Sequence, residues 1–165
     1  MSNAIEAELL VHLDAQIASA QRLLGYVLEQ GKAIRSRDVD GVLGRLAEIQ
    51  TEMGRRGALE MERAGVLQRA GAALGLPATE VTLERLCALV TPGAAEMARE
   101  RSAELRGLLA EIAREHGINR ALMRQELAFL SHLTRLIGND AEPGYDPSGS
   151  AGTPAPSHHV LDLRA

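Results

Sequence analysis

Between Leu10 and Ile34 the apolar positions recur in alternating steps of three and four: Leu10, Leu13, Ile17, Ala20, Leu24, Val27, Gly31 and Ile34. This is a heptad seam, one stripe along an α-helix that must be covered by other helices. Leu9 and Leu28 widen it. The pattern predicts one helix from about Asn3 to Arg35, ended by SRDVDG, where Asp38 is placed to cap the next helix.

That second helix carries Val42, Leu46, Ile49 and Met53, blurs through GRRGALEMERAG, and resumes at Leu67 and Leu74. Gly75 followed by Pro77 is a stop signal. A short helix from Thr82 to Val90 follows, with Thr82 as its cap. Pro92-Gly93 breaks the chain, and a long third helix runs to about Ile137, its seam traced by Ala98, Leu105, Leu109, Ile112, Asn119, Met123, Leu130, Leu133 and Ile137. No useful period-two run appears. The expected class is all-α: an elongated antiparallel hairpin or three-helix coiled-coil-like bundle with a short extra helix and a flexible C-terminal tail. The expected boundary puts the helical domain at 1–138 and the tail at 139–165.

Composition narrows the core. Aromatics are 2% of the chain, and Tyr26, Phe129 and Tyr145 are all of them. A 45% hydrophobic content made of Leu, Ile, Val, Met and Ala suits thin layers of packed helix. Gly41, Gly44, Gly54, Gly57, Gly65 and Gly71 all fall in the second helix. Each interior glycine costs about 0.5–1 kcal/mol relative to alanine, so that helix is expected to be weakly held. Drift or close helix contacts explain the glycines in one account; a wall that deforms for a partner helix explains them in the other.

Several functions are disfavoured. A net charge of −4 gives no electrostatic reason to bind nucleic acid or an anionic membrane. No apolar run approaches the roughly 20 residues needed to span a bilayer, and MSNAIEAELL lacks the features of a signal peptide. One cysteine, Cys87, excludes an internal disulfide and is read as a small packed side chain. The expectation is a cytoplasmic protein with no direct membrane insertion. Glu115 and His116 are adjacent and cannot form the Glu-x-x-His unit of a di-iron bundle. Sequence motifs for catalysis, metal or cofactor binding are missing, and His12 and His132 are assigned to helix surfaces, so no enzyme, metal or cofactor is expected.

Three segments in order carry a specific likeness. LEMERAGVLQRAGAALGL at 59–76, GINRALMRQELAFLSHL at 117–133 and GYDPSG at 144–149, with VLDLRA at the end, together resemble the FlgN family of flagellar export chaperones. Asp146-Pro147 stands where many members have glycine after the tyrosine, which stiffens that turn. The resemblance implies a chaperone that covers the terminal helices of the hook–filament junction proteins FlgK and FlgL. It would prevent their premature assembly and deliver them to the export gate protein FlhA. A generic coiled-coil adaptor or self-associating scaffold is the alternative, and the oligomeric state stays open.

Under that resemblance the client surface falls on the third helix at Asn119, Leu122, Met123, Leu127, Phe129, Leu130, Leu133 and Ile137. Met repacks easily and Phe brings the largest apolar area. Packing against the first two helices is the competing use of these residues. Asn119 has a second role open to it, fixing helix register through a polar partner. From about Asn139 the chain carries four prolines and three glycines and cannot form a core. There the resemblance assigns Tyr145, Asp146 and Gly149 to gate docking, while Val160, Leu161 and Leu163 form a small apolar anchor. Folding of the tail back onto the helices is the other possibility.

Overall fold

A computed structural model describes residues 2–139. Among these the regular structure is helical throughout: α1 (Ser2–Ser36), α2 (Val39–Leu74), a 3-10 turn (Ala78–Glu80), α3 (Leu83–Cys87) and α4 (Pro92–Asn139). The expected all-α architecture of long packed helices is what forms. Contacts divide the chain into two units, 1–127 and 128–165.

Each helix boundary has a local chemical cause. α1 closes with Arg37 in the left-handed region at φ 58, its N–H donating to the Ile34 carbonyl at 3.1 Å while the Asp38 N–H reaches back to Ala33 at 2.9 Å. A non-glycine residue pays about 1–2 kcal/mol for that conformation. Asp38 then caps α2, its Oδ1 accepting from the Gly41 N–H at 2.9 Å. α2 ends at Gly75, whose φ of 68 costs glycine nothing, and the Gly75 N–H closes on the Gly71 carbonyl. Thr82 caps α3 through Oγ1, although α3 stops at Cys87 rather than reaching Val90. Pro92 opens α4 at its first position, where no backbone donor is needed.

Packing in the first unit is organised around α1. Partners of α1 on α2 run backward along the chain: Glu8 with Arg69, Gln16 with Glu60, Arg22 with Glu52. Those helices are antiparallel. Partners on α4 run forward instead: Glu6 with Thr91, Asp14 with Arg101, Val27 with Asn119, Arg37 with Glu126. So α1 and α4 lie parallel, and α2, the 3-10 turn and α3 supply the return.

The apolar core gathers at one end of this unit. Leu9 and Leu13 of α1 meet Ala70 of α2, Val81, Leu86 and Cys87, and Ala95 and Ala98 of α4. Alanines at the start of α4 let its backbone come close, so leucines from the other elements fill the space without rings. Cys87 lies buried as expected, and burial raises the pKa of its thiol.

The α1 stripe differs from its sequence outline by a small rotation. Leu9, Leu13, Ile17, Ala20, Leu23, Val27 and Ile34 are buried, while Leu10 and Leu24 are half-buried and Leu28 is exposed. α2 departs further. It is one continuous helix, yet Leu46 and Met53 of its anticipated seam are exposed, and Glu52 is buried between them. The glycines of α2 also sort themselves: a Cβ on Gly71 would meet the Leu76 carbonyl oxygen at 2.6 Å, whereas Gly44, Gly54 and Gly57 face open space. Close packing accounts for Gly71 alone among these four.

Candidate helix-binding surfaces

Two buried polar positions set the register of the first unit. Glu52 is fully buried, and its carboxylate accepts from Ser19 Oγ at 2.7 Å, Arg22 Nη2 at 2.9 Å, Arg22 Nε at 3.1 Å and Arg55 Nη1 at 3.2 Å. Hydrogen bonding from Arg22, aided by Ser19 and Arg55 and opposed by burial, holds its pKa at about 2 against an ordinary 4.5. A buried carboxylate with this many donors tolerates little sliding of α2 along α1.

Asn119 makes the corresponding pin between α4 and α1. It is 1% exposed, and Nδ2 donates to the Val27 carbonyl at 2.8 Å and to Gln30 Oε1 at 3.5 Å. Gly31 makes room for it, since a Cβ there would lie 2.6 Å from Asn119 Oδ1. The register role that the sequence left open for Asn119 has its polar partners here.

His12 corrects the sequence expectation. It is buried, 8% exposed, rather than on a helix surface, because its i+4 neighbour Gln16 and Glu62 of α2 flank it where the two helices meet. Burial lowers its pKa, so the ring is held toward its neutral form. His132 is exposed, as its position on α4 implied.

Along α4 the anticipated client positions change character from one end to the other. In the first unit, Leu122 and Met123 are half-buried, and Leu127 is 64% exposed. In the second unit, Phe129, Leu130 and Ile137 are exposed and Leu133 is half-buried. Leu136, which the sequence seam omitted, is also exposed. Exposure of one leucine is ordinary; four exposed large apolar side chains, Phe129, Leu130, Leu136 and Ile137, within the last three turns of one helix form a patch. Tyr145, Asp146, Gly149, Val160, Leu161 and Leu163 lie outside the described residues.

A separate cleft lies wholly within the first unit. About 340 Å3 in volume, it is walled by Leu9 and Leu13 of α1, Val66 and Leu67 of α2, Val81, Leu83 and Leu86, and Leu105 and Leu109 of α4. Arg56 and Arg63 border it. Arg63 pairs with Glu60 at 3.1 Å, but Arg56 Nη1 is buried with no hydrogen-bond partner among the described residues.

The family comparison fits this helical arrangement. A family model described as FlgN protein matches residues 1–153. The chain belongs to the FlgN family. Members of that family are flagellar export chaperones, so a function in flagellar protein export follows from membership. The FlgN match takes in all four helices and continues past the described residues, through Tyr145, Asp146 and Gly149. No curated protein and no solved structure matches the chain. Among the described residues, no helix is long and apolar enough to cross a membrane.

Sequence reasoning missed Glu52, the cleft and the unpaired Arg56. For Glu52 a signal existed: an acidic residue between Ile49 and Met53 on an apolar stripe, with Ser19 and Arg22 one turn apart on the facing helix.

Proposed function

We propose that this FlgN-family protein is a cytoplasmic chaperone for the hook–filament junction proteins FlgK and FlgL, that it binds their terminal helices, and that it hands them to the export gate protein FlhA. The observation that carries the proposal is the exposed apolar patch on the last turns of α4, in a chain from an export-chaperone family. An amphipathic client helix laid on Phe129, Leu130, Leu133 and Ile137 covers apolar surface of the second unit that the described residues leave open. In the first unit, Asn119, Leu122, Met123 and Leu127 are proposed as further client contacts.

The physics suits a temporary complex. A client must be released for export, and contacts of modest apolar area on a pre-formed helix give binding without a permanent shared core. Tyr145, Asp146 and Gly149 are proposed to dock on the gate, with Val160, Leu161 and Leu163 as a second tail anchor.

Calorimetric titration of the C-terminal helical segment of FlgK or FlgL, from the same organism, into the full chain tests the proposal. One-to-one saturable binding, retained after truncation behind Gly138, is the expected result. Absence of binding to both segments, with stable self-association of the protein instead, would establish the generic adaptor.

A further inference from the structure

Arg56 is out of place for a surface arginine. Of the described arginines, only Arg45, Arg56 and Arg101 are half-buried. Arg45 is neutralised by Glu48 at 2.5 Å and Arg101 by Asp14 at 2.5 Å. Among the described residues Arg56 makes no ion pair, and its Nη1, withdrawn from solvent, has no hydrogen-bond partner. Leaving such a donor unmet costs about 1–3 kcal/mol, more for a charged group. The guanidinium borders the leucine-walled cleft of about 340 Å3.

Side chains of all four helices wall that cleft, with Leu83 and Leu86 contributed by α3. α1, α2 and α4 each present side chains to it at helical spacing, as in Leu9 and Leu13, or Ser102, Leu105 and Leu109. A helix whose stripe repeats every three or four residues interdigitates with such ridges. The opening is too small for a whole helix but takes the side chains of one stripe.

We propose that this cleft is a second docking site for the client, taking an amphipathic helix that inserts leucine-type side chains between Leu13, Leu67 and Leu105 and sets a glutamate or aspartate against Arg56. The proposal rests on the export-chaperone reading and deepens it. A client held at the cleft as well as on α4 is bound at two weak sites, and their linkage raises affinity without making either contact hard to release. A carboxylate is the only common side-chain group that meets a half-buried guanidinium with charge and two acceptors.

The test uses the full chain and, as probe, the complete FlgK or FlgL of the same organism, with affinity and hydrogen exchange read together. Arg56→Glu is expected to weaken the complex about tenfold, while Arg56→Lys stays within a few-fold. The unfolding midpoint of neither variant falls below the wild-type value, because Arg56 has no partner among the described residues to lose. Client addition is expected to slow exchange at residues 9–16 and 102–109 more than at residues 20–34. Wild-type affinity in Arg56→Glu, with protection confined to the end of α4, overturns the cleft and leaves the chaperone reading standing. Failure of both clients to bind overturns both together. Protection of the cleft in the protein alone as concentration rises shows a second copy as the occupant and overturns the proposal. Saturable binding of dodecanoate at the cleft without client protection overturns it in favour of a small amphiphile.

Discussion

The middle of the first unit and the last turns of α4 invert the usual arrangement in opposite senses. Around Glu52 a carboxylate is buried among helices, where an apolar residue would be the ordinary choice. At the end of α4, Leu127, Phe129, Leu130, Leu136 and Ile137 stand exposed, where polar residues would be ordinary. The buried polar group gives position: its partners are directional, so α2 has one register on α1. The exposed apolar groups give attraction without direction, which suits the client surface proposed above. Stability and binding are therefore expected to respond to different residues.

The largest effect should come from removing the buried carboxylate. Glu52→Ala leaves Ser19 and two guanidinium groups without their acceptor, and the unfolding free energy in urea should fall by about 3 kcal/mol. Arg22 and Arg55 are about half exposed and can be rehydrated, which keeps the loss at the lower end of the range for broken buried pairs. In contrast, Leu136→Ala should change the same measurement by less than about 0.5 kcal/mol, since its side chain is already 51% exposed. A large loss at Leu136 would erase the contrast.

A smaller effect tests the second pin. Gly31→Ala places a methyl group against Asn119 Oδ1 and should cost about 1–3 kcal/mol. Joined to Asn119→Ala, the same change should cost clearly less than the sum of the two single changes, as a double-mutant cycle in chemical denaturation would record. Strict additivity would mean that the two residues do not share the space assigned to them.

Acid titration sharpens the account of Glu52. Its carboxyl titrates near 2 in the folded protein against an ordinary 4.5. The stabilisation is thus complete above pH 4.5 and is lost as pH falls from 4.5 toward 2. The stability gap between wild type and Glu52→Gln should narrow over that window, and a gap that widened on acidification would contradict the assigned charge state. A modest effect is local: Asp38→Ala removes the α2 cap and should cost about 1 kcal/mol by the same denaturation assay.

How much of this was legible in the sequence depends on the range of the interactions. Helix number, order and most boundaries were readable, because Asp38, Gly75, Thr82 and Pro92 act on backbone groups a few residues away. α3 is shorter than its apolar pattern suggested, its end being set by the turn that leads into α4. The buried face of α2 was misread because apolar spacing pointed to Leu46 and Met53, while the partners that bury Glu52 lie about 30 residues upstream. His12 was misplaced for the same reason, since the residues that cover it belong to another helix. On α4 the apolar stripe was legible, but only packing shows that it is covered near Asn119 and open near Leu130. The cleft needed every helix in place before it existed at all.

The most direct test of this separation is a double substitution on the open end of α4, Phe129→Ser with Leu130→Ser, followed by calorimetric titration with the C-terminal helical segment of FlgK or FlgL and by urea unfolding. Affinity lower by about a hundredfold with an unchanged unfolding midpoint is the predicted result, at about 1–2 kcal/mol for each lost apolar contact. Unchanged affinity with a lowered midpoint would contradict the account, by placing these side chains in the core of the protein instead of on the proposed client surface.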